Sequence, residues 1–352
     1  MKKIKKSIIT KNIKDFRINR SIKKDHIPKA GDVAVFQVIS IGKHKAIQGE
    51  NGNNTYIFPE DYILASFGTR YATHQFEGYV PQKYYPRYQI LGQGGVVGIL
   101  KSMHMKFDDI GATEVRLIGY AVDENNEVIN TKYYNEEALS FQPFKKRNYK
   151  VYLSLGASMD SGKTTTAAFL SRALMRQKQK VAFIKLTGTV YAKDCSIVRD
   201  CGAHTAIDFS YYGYPSTYLC KTNEILNLFE SLLNKVEETN PDAVIIEIAD
   251  GLLQRETRAL INTKSFMQMI DYTVLSCADS LSVVSGIEIL SDIGKKPWIL
   301  SGLFTASPLM VNEVRQITDI PVFTLEDFMD KEKFNEITNP EKEEIRIAVN
   351  EF

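Results

Sequence analysis

Apolar and polar positions follow two different patterns along the chain. Residues 31–136 alternate short β-rich runs with Gly and Asn turns, and residues 113–134 read as strand, turn and strand. From residue 150 onward, apolar runs typical of buried strands alternate with helical patterns. This order predicts a small all-β domain, a barrel or a sandwich, followed by an α/β domain with a doubly wound, mostly parallel sheet.

The second pattern predicts specific elements. We expect strands at residues 150–156, 181–186, 242–248, 273–277, 297–300 and 321–323. We expect helices at residues 162–178, 223–238, 254–268, 280–292, 308–317 and 325–336. The predicted organisation is a basic N-terminal arm (1–30), a β domain (31–140), an α/β domain (150–340) and a C-terminal tail (341–352).

The junction of the first predicted strand and helix of the α/β domain has the features of a phosphate-binding loop. Residues 156–164 read Gly-Ala-Ser-Met-Asp-Ser-Gly-Lys-Thr. Gly162 lets the backbone approach a phosphate, while the loop N–H groups and the helix N-terminus present partial positive charge. Lys163 can reach the β- and γ-phosphates, and the Thr164 hydroxyl can ligate Mg²⁺. The predicted nucleotide-binding residues are Gly156, Ser158, Met159, Asp160, Ser161, Gly162, Lys163, Thr164 and Thr165.

Charged residues end the neighbouring apolar runs. Glu247 and Asp250 bracket the end of a buried strand, where a carboxylate can join the Mg²⁺ shell or orient an attacking group. Asp194 and Asp200 are further metal candidates, and the sequence leaves the choice among the four acids open. Lys185 ends the second strand and would direct its ammonium at the nucleotide or another anion. The predicted catalytic residues are Lys163, Lys185, Glu247 and Asp250, and the predicted metal ligands are Thr164 and Glu247.

The loop resembles that of the dethiobiotin synthetase branch of P-loop proteins, which also includes the cobyrinic acid amidases and the Min and Par partition ATPases. The family's loop has five residues between its glycines, as Gly156 and Gly162 do. Lys185 stands near the family's Lys-Pro, and Glu247 stands where the family has a metal-binding Glu. The resemblance covers residues 150–325 and implies ATP, Mg²⁺ and phosphorylation of a carboxylate by ATP.

The chain also departs from this family. Ser158 replaces the family's Asp, and Leu186 replaces the Pro that follows its Lys. Ile-Ala-Asp-Gly stands where the family has Gly-Ala-Gly-Gly after its Glu, and the second lysine of the partition ATPases is missing. The β domain matches nothing in dethiobiotin synthetase. The family's substrate therefore does not follow from the resemblance.

Composition is that of an ordinary globular chain, with 44% hydrophobic and 24% charged residues. Neither a secretory signal nor an apolar run long enough for a membrane helix is visible, so we expect no membrane partner. Four cysteines are typical of reduced thiols, which favours a cytoplasmic location. The spacing of Cys195, Cys201 and His204 fits no standard zinc site, which favours buried thiols.

Charge is distributed unevenly. Residues 1–30 carry eleven Lys and Arg against two Asp. Such an arm binds nucleic acid, an acidic partner or a membrane surface, or it is a solvated tail or a protected edge strand. Residues 70–88 interleave aromatic and basic side chains, a pattern that fits either a stacking surface for single-stranded nucleic acid or a packed tyrosine-rich loop.

These observations leave three functional hypotheses. The first is an Mg²⁺-dependent ATP-binding P-loop NTPase that phosphorylates or activates a small molecule. The second is a polynucleotide kinase or another NTPase that depends on nucleic acid. The third is a nucleotide-gated switch that acts on a partner protein. A homodimer is left open as an arrangement.

Overall fold

The computed structural model describes residues 3–133 and 138–338. The predicted C-terminal tail (341–352) lies outside the described residues. The strands are β1 (Ile4–Lys6), β2 (Arg17–Asn19), β3 (Val33–Ser40), β4 (Ala46–Gln48), β5 (Asn54–Tyr56), β6 (Tyr62–Phe67), β7 (Arg70–Tyr71), β8 (Phe76–Tyr79), β9 (Tyr88–Gly92), β10 (Val96–Met103), β11 (Glu114–Val122), β12 (Lys150–Gly156), β13 (Val181–Lys185), β14 (Thr205–Asp208), β15 (Ala243–Glu247), β16 (Tyr272–Ser276) and β17 (Ile299–Ser301). The α-helices are α1 (Lys163–Arg176), α2 (Ala192–Asp200), α3 (Thr222–Glu237), α4 (Arg255–Ile261), α5 (Lys264–Met267), α6 (Ser280–Asp292), α7 (Pro308–Ile317), α8 (Leu325–Met329) and α9 (Lys331–Thr338).

Contacts divide the chain into two compact units. Unit 1 comprises Met1–Gln142, Lys185–Asp194 and Ile207–Leu233. Unit 2 comprises Pro143–Ile184, Cys195–Ala206 and Asn234–Phe352. Two segments that follow strands of the α/β half therefore group with the β strands of the N-terminal half.

Unit 1 contains a nine-stranded sheet with the order β1-β6-β3-β11-β9-β10-β8-β7, and β2 pairs with β11. An additional pairing of β6 with β10 closes a ring through β6, β3, β11, β9 and β10. Aromatic rings fill its core: the Phe67 centroid lies 5.2 Å from that of Phe36, 5.6 Å from that of Tyr88 and 5.9 Å from that of Tyr120. Buried contacts between aromatic rings at such distances stabilise a core beyond the area they bury.

Basic N-terminal residues contribute strands to this sheet. Strand β1 pairs in parallel with β6, and β2 pairs antiparallel with β11. Lys5 forms an ion pair with Asp61 at 2.6 Å, and Lys6 forms one with Glu50 at 3.5 Å. Part of the positive charge of residues 1–30 is thus neutralised within unit 1.

The α/β half contains a six-stranded sheet with the order β14-β13-β15-β12-β16-β17. Strand β12 pairs in parallel with β15 on one side and with β16 on the other. Its strands are buried apolar runs, as expected where both faces of a parallel sheet are covered. The predicted parallel α/β sheet is confirmed. Later strands lie on both sides of β12: β15, β13 and β14 on one side, and β16 and β17 on the other. Ligands of doubly wound sheets bind beyond the carboxyl ends of the strands at such a point.

Some elements differ from the prediction. Strand β14 and helix α2 are short and were not predicted, and residues 321–323 form a single bridge, from Val322 to Leu300, in place of the predicted strand. The helix expected at 254–268 is divided into α4, which ends at Ile261, and α5, which begins at Lys264. Between them, the side chains of Asn262 and Thr263 donate to the carbonyls of Arg258 (2.7 Å) and Ala259 (2.8 Å).

The last predicted helix is also divided. Residues 325–336 form α8 and α9, separated at Asp330. The Asp330 carboxylate accepts from the N–H groups of Glu332 at 3.0 Å and Lys333 at 3.2 Å and so caps α9. Among the described residues, no helix has the length and apolar character needed to span a bilayer.

Candidate nucleotide site

The predicted phosphate loop connects β12, which ends at Gly156, to α1, which begins at Lys163. Gly162 precedes the helix with φ of 96°, a left-handed conformation that favours glycine. A Cβ on Gly156 would lie 2.6 Å from Lys163 Nζ and 2.7 Å from its Cδ. Gly156 therefore leaves the space through which the Lys163 side chain folds back over the loop.

Lys163 is held by oxygens of its own loop. Its Nζ donates to the Ser158 carbonyl at 2.8 Å and lies 3.5 Å from Ser161 Oγ. The residue is only 7% exposed, and a buried ammonium is costly unless it is bonded. Phosphate oxygens would offer stronger, charge-assisted partners than these neutral oxygens. The loop thus holds its cation in place for an anion.

Thr164 and Glu247 meet beneath the loop. Thr164 Oγ1 donates to Glu247 Oε1 at 3.0 Å, and Glu247 is buried as the last residue of β15. The register of the sheet brings them together, since Ser154 of β12 pairs with Glu247 of β15. A hydroxyl and a carboxylate are oxygen ligands of the kind that Mg²⁺ prefers. This pair fits the predicted metal position.

The segment after β15 packs on the phosphate loop. The Leu252 N–H donates to the Ala157 carbonyl at 3.4 Å. A Cβ on Gly251 would lie 2.6 Å from the same carbonyl oxygen and 2.7 Å from the Cα of Ser158. Asp250 precedes this contact with a left-handed φ of 62°. Such strain in a polar residue beside a phosphate loop is common at functional sites.

The segment after β17 forms another side of the loop. The Leu303 N–H donates to the Ser161 carbonyl at 3.1 Å. Gly302 has φ of 108°, and a Cβ there would lie 2.5 Å from Ser161 O and 2.6 Å from Cys277 N. Burial, together with the negative charge of Asp279, raises the pKa of the Cys277 thiol to about 12, so this neighbour of the loop is protonated near neutral pH. The close packing of Gly302 against the phosphate loop was not predicted from the sequence.

Replacing Gly302 with Ala should destabilise unit 2. The added methyl group has no room and the backbone is left-handed, so we expect a loss of about 2–4 kcal/mol in the free energy of unfolding. Gly294→Ala is the matched control, because Gly294 also has positive φ (71°) but a Cβ there meets nothing within 4 Å. Urea unfolding would measure both variants. Equal losses would contradict the close packing of Gly302.

Lys185 forms an ion pair with Asp194 within unit 1, and Lys185 is 8% exposed. Sequence reasoning missed Asp208, at the end of β14. Its carboxylate accepts from the Ser210 N–H at 2.9 Å and from the Ser210 hydroxyl at 2.5 Å, and burial raises its pKa. The positive charges of Lys185 and Lys11 favour the ionised carboxylate and so act to lower this pKa. An acidic residue at the end of a strand would have marked Asp208 as a candidate, but β14 itself was not predicted from the sequence.

Asp200 lies far from the carboxyl ends of the strands. It is exposed at the end of α2, and His204, shortly after it, donates its N–H to the carbonyl of Val181, the first residue of β13, at 2.8 Å. Residues 200–204 therefore lie near the amino end of β13, whereas the phosphate loop follows the carboxyl end of β12. Among the described residues, no cluster of three His, Cys, Asp or Glu side chains could hold a metal ion. Cys195 is buried in the apolar core of unit 2.

Comparisons with known proteins give distant similarities. No protein-family model matches the chain, and no curated protein matches it. Chloroplast FtsY from Physcomitrella patens is 17% identical with a TM-score of 0.37, over 52% of this chain and 60% of that chain. FtsY from Thermotoga maritima is 17% identical with a TM-score of 0.37, over 60% of this chain and 78% of that chain.

A third solved structure, the Signal Recognition Particle 54 kDa protein from Aeropyrum pernix in complex with GDP, is 16% identical with a TM-score of 0.35. The match covers 59% of this chain and 50% of that chain. Similarities at this level transfer no property to the chain. The resemblance to the dethiobiotin synthetase branch is a prediction from the sequence of the loop.

Proposed function

We propose that this chain binds a nucleoside triphosphate with Mg²⁺ at residues 156–165 and cleaves its terminal phosphate. The observation that carries the proposal is the hydrogen bond between Thr164 and Glu247, at 3.0 Å, directly after the loop that holds Lys163. A phosphate-loop hydroxyl and a strand-end carboxylate form the metal-binding pair of P-loop NTPases. The surrounding parallel sheet supports the same function.

Each residue of the proposed site would have its own role in binding or cleaving the nucleotide. The loop N–H groups and Lys163 would bind the phosphates, with Lys163 exchanging the Ser158 carbonyl for phosphate oxygens. Thr164 and Glu247 would hold Mg²⁺, which, when bound, neutralises charge on the phosphates. Asp250 would orient the attacking group. Lys185 would act on the phosphate or the substrate, and this role requires it to leave Asp194.

We propose further that the terminal phosphate is transferred to a small molecule. ATP is the nucleotide that the family resemblance implies, and the acceptor would be a carboxylate. Titration calorimetry of the purified full chain with ATP and with GTP, in Mg²⁺ and in EDTA, tests the binding step. Micromolar binding that weakens without Mg²⁺ supports the proposal. Absence of heat for both nucleotides at millimolar concentration would oppose it.

A nucleotide-gated switch is a second candidate function, and it is favoured by the segments of the chain that belong to unit 1. Residues 185–194 and 207–233 follow β13 and overlap the end of β14, at the strand ends where nucleotide-responsive segments of P-loop proteins lie. They nevertheless group with the β strands of unit 1. The two segments also join each other, since Thr217 N–H donates to the Gly188 carbonyl at 2.9 Å and Gly188 N–H donates to Thr217 Oγ1 at 2.9 Å.

Specific bonds attach these segments to the β strands. Gln48 of β4, which is fully buried, accepts from the Ala192 N–H at 2.9 Å. Thr69 donates to the Tyr218 carbonyl at 2.8 Å, and Thr131 donates to the Gly213 carbonyl at 2.6 Å. A phosphate-dependent shift of the segments would therefore pull on the β strands. In such a switch, a partner protein would bind the surface of the β strands that these bonds connect to the two segments.

Gln48→Leu should uncouple the segment from the β strands. In the wild type, we expect nucleotide to slow hydrogen exchange of the Ala192 amide by about tenfold, because closing of the segment tightens its bond to Gln48. The variant should lose most of this protection while its phosphate release changes by less than about twofold. Gln82→Leu, at an exposed position, is the control. Identical exchange with and without nucleotide in the wild type would contradict the switch.

Four of the residues that suggested nucleic-acid binding have partners within unit 1. Lys5 and Lys6 are paired with acids of unit 1. Tyr71 and Tyr79 pack against Tyr218, with ring centroids 5.2 Å and 6.0 Å apart, so neither ring is a free stacking platform. Binding of single-stranded oligonucleotides that weakens steeply with salt would still restore this hypothesis.

A further inference from the structure

One face of the sheet in unit 1 combines aromatic side chains with a carboxylate. Strand β8 alternates buried and partly exposed residues, and Glu77 and Tyr79 are on its outer face. Antiparallel pairing places Tyr71 of β7 on one side of Glu77 and Ser102 of β10 on the other. Residues paired in this way project their side chains from the same face. The outer face of β7, β8 and β10 therefore carries one carboxylate among hydroxyl and aromatic groups.

Hydroxyl groups hold the Glu77 carboxylate in position. The Tyr79 hydroxyl donates to its Oε1, and Ser102 Oγ donates to its Oε2 at 2.8 Å. The bond from Tyr79, and then that from Ser102, lowers the pKa of Glu77, while burial opposes them and Lys101 adds the smallest effect. Within residues 3–133 and 138–338, Glu77 forms no ion pair. The face thus presents an ionised carboxylate that its neighbours orient without neutralising it.

Tyr218 packs beside this carboxylate. Its ring centroid lies 5.2 Å from that of Tyr71 and 6.0 Å from that of Tyr79, with the ring planes tilted by 44° and 45°. Thr69 Oγ1 donates to the Tyr218 carbonyl at 2.8 Å, and the Tyr218 N–H donates to Ser216 Oγ at 3.2 Å, so its backbone is fixed. All three tyrosines are partly exposed. An ammonium group covers far less of a ring face than a stacked nucleobase does, so partly exposed rings suffice for it.

We propose that Glu77, Tyr79 and Tyr218 bind the ammonium group of an alkyl amine. The carboxylate accepts charge-assisted hydrogen bonds from the ammonium N–H groups. The negative faces of the tyrosine rings attract the same positive charge, and the alkyl chain gains apolar contact with the rings. All three residues belong to unit 1, and none belongs to the proposed nucleotide site, so the proposal stands whether or not the chain cleaves nucleotide.

The chemistry of this face favours an ammonium over other cations. Divalent metal ions take several oxygen ligands, and the described part of the chain contains no cluster of three His, Cys, Asp or Glu side chains that could hold one. A guanidinium pairs best with a carboxylate whose two oxygens are both open, whereas each oxygen of Glu77 already accepts from a hydroxyl. An ammonium binds as a compact point charge, so the remaining lone pairs of Glu77 are sufficient for it.

The test is titration calorimetry of the full chain with butylammonium chloride, with sodium chloride at equal concentration as the blank. We expect a dissociation constant on the order of 1 mM, weakened at least about fivefold in Glu77→Gln. Glutamine keeps the shape of the side chain and an oxygen that accepts from a hydroxyl, so the fold should be retained. Glu124→Gln, at an exposed position in the turn after β11, is the matched control and should leave binding unchanged. No binding at tens of millimolar, or equal binding in Glu77→Gln, would overturn the proposal.

Two substitutions of Tyr218 test the aromatic part of the site. Tyr218→Phe keeps the ring and should bind butylammonium within about twofold of the wild type, whereas Tyr218→Leu should weaken binding about threefold or more. Equal weakening by the two substitutions would contradict a role for the ring face.

Two further probes test which group is bound. Tetramethylammonium has no N–H to donate and should bind more weakly than butylammonium, and equal or tighter binding would overturn the hydrogen bond to Glu77. Nα-acetyl-lysine methylamide carries the same alkylammonium on a peptide backbone. Both possible results of this comparison agree with an ammonium site: tighter binding than butylammonium would assign the ammonium to a lysine of a partner protein, and weaker or equal binding would assign it to a free amine.

Discussion

Lys163→Ala should reduce kcat/KM for nucleoside triphosphate hydrolysis by about a hundredfold to a thousandfold. The reason lies in the geometry of the loop. The Lys163 ammonium is buried and bonded to the Ser158 carbonyl, and it is the group best placed to neutralise the terminal phosphates. Truncation to alanine removes that charge, and in a buried site water would stabilise the phosphate charge poorly in its place. Steady-state release of phosphate, measured over a range of nucleotide concentrations, would give the loss.

Lys264→Ala is the control for Lys163→Ala, because Lys264 is an exposed lysine of unit 2. It should leave both hydrolysis and nucleotide binding unchanged. Urea unfolding of the two variants separates a lost charge from a lost fold. Hydrolysis in Lys163→Ala at the wild-type rate would place the activity elsewhere in the chain or in a contaminant.

Glu247→Gln should lower kcat by about a hundredfold and raise the Mg²⁺ concentration needed for half-maximal rate. Glutamine keeps the shape of the side chain and an oxygen that can accept from Thr164, but it removes the negative charge that a metal requires. Nucleotide binding should change much less than turnover, since the loop N–H groups and Lys163 remain. Phosphate release against Mg²⁺ concentration, with titration calorimetry alongside, would show the two effects separately.

Asp250→Asn tests the second acid near the end of β15, for comparison with Glu247→Gln. If Glu247 is the carboxylate beside the metal, Asp250→Asn should alter the rate without altering the Mg²⁺ dependence. A shift in Mg²⁺ dependence in Asp250→Asn, with none in Glu247→Gln, would exchange the roles of the two acids.

The sequence predicted the parts of the site whose chemistry is local. The loop at residues 156–164 is contiguous, with a strand before it and a helix after it, so its place at a strand end followed from the pattern alone. Helix α7 was predicted with its observed bounds, 308–317. Ser307 accepts from the Met310 N–H and Pro308 occupies the first turn, and both are start signals that a sequence shows directly.

Features that depend on distant pairing were not predictable. Residues 207–233 join unit 1 through contacts such as that between Thr69 and Tyr218, which no local pattern encodes. The same holds for β1, whose place in the sheet rests on its register with β6. Short elements such as β14 and α2 take their positions from tertiary contacts, which override weak local preferences.

The most direct test of nucleotide cleavage at residues 156–165 is phosphate release by the wild-type full chain, with ATP and with GTP, in Mg²⁺ and in EDTA. The proposed site predicts release with at least one nucleotide that requires Mg²⁺ and saturates with nucleotide concentration. No release above the EDTA background with either nucleotide, from protein that is folded by urea titration, would contradict hydrolysis at this site.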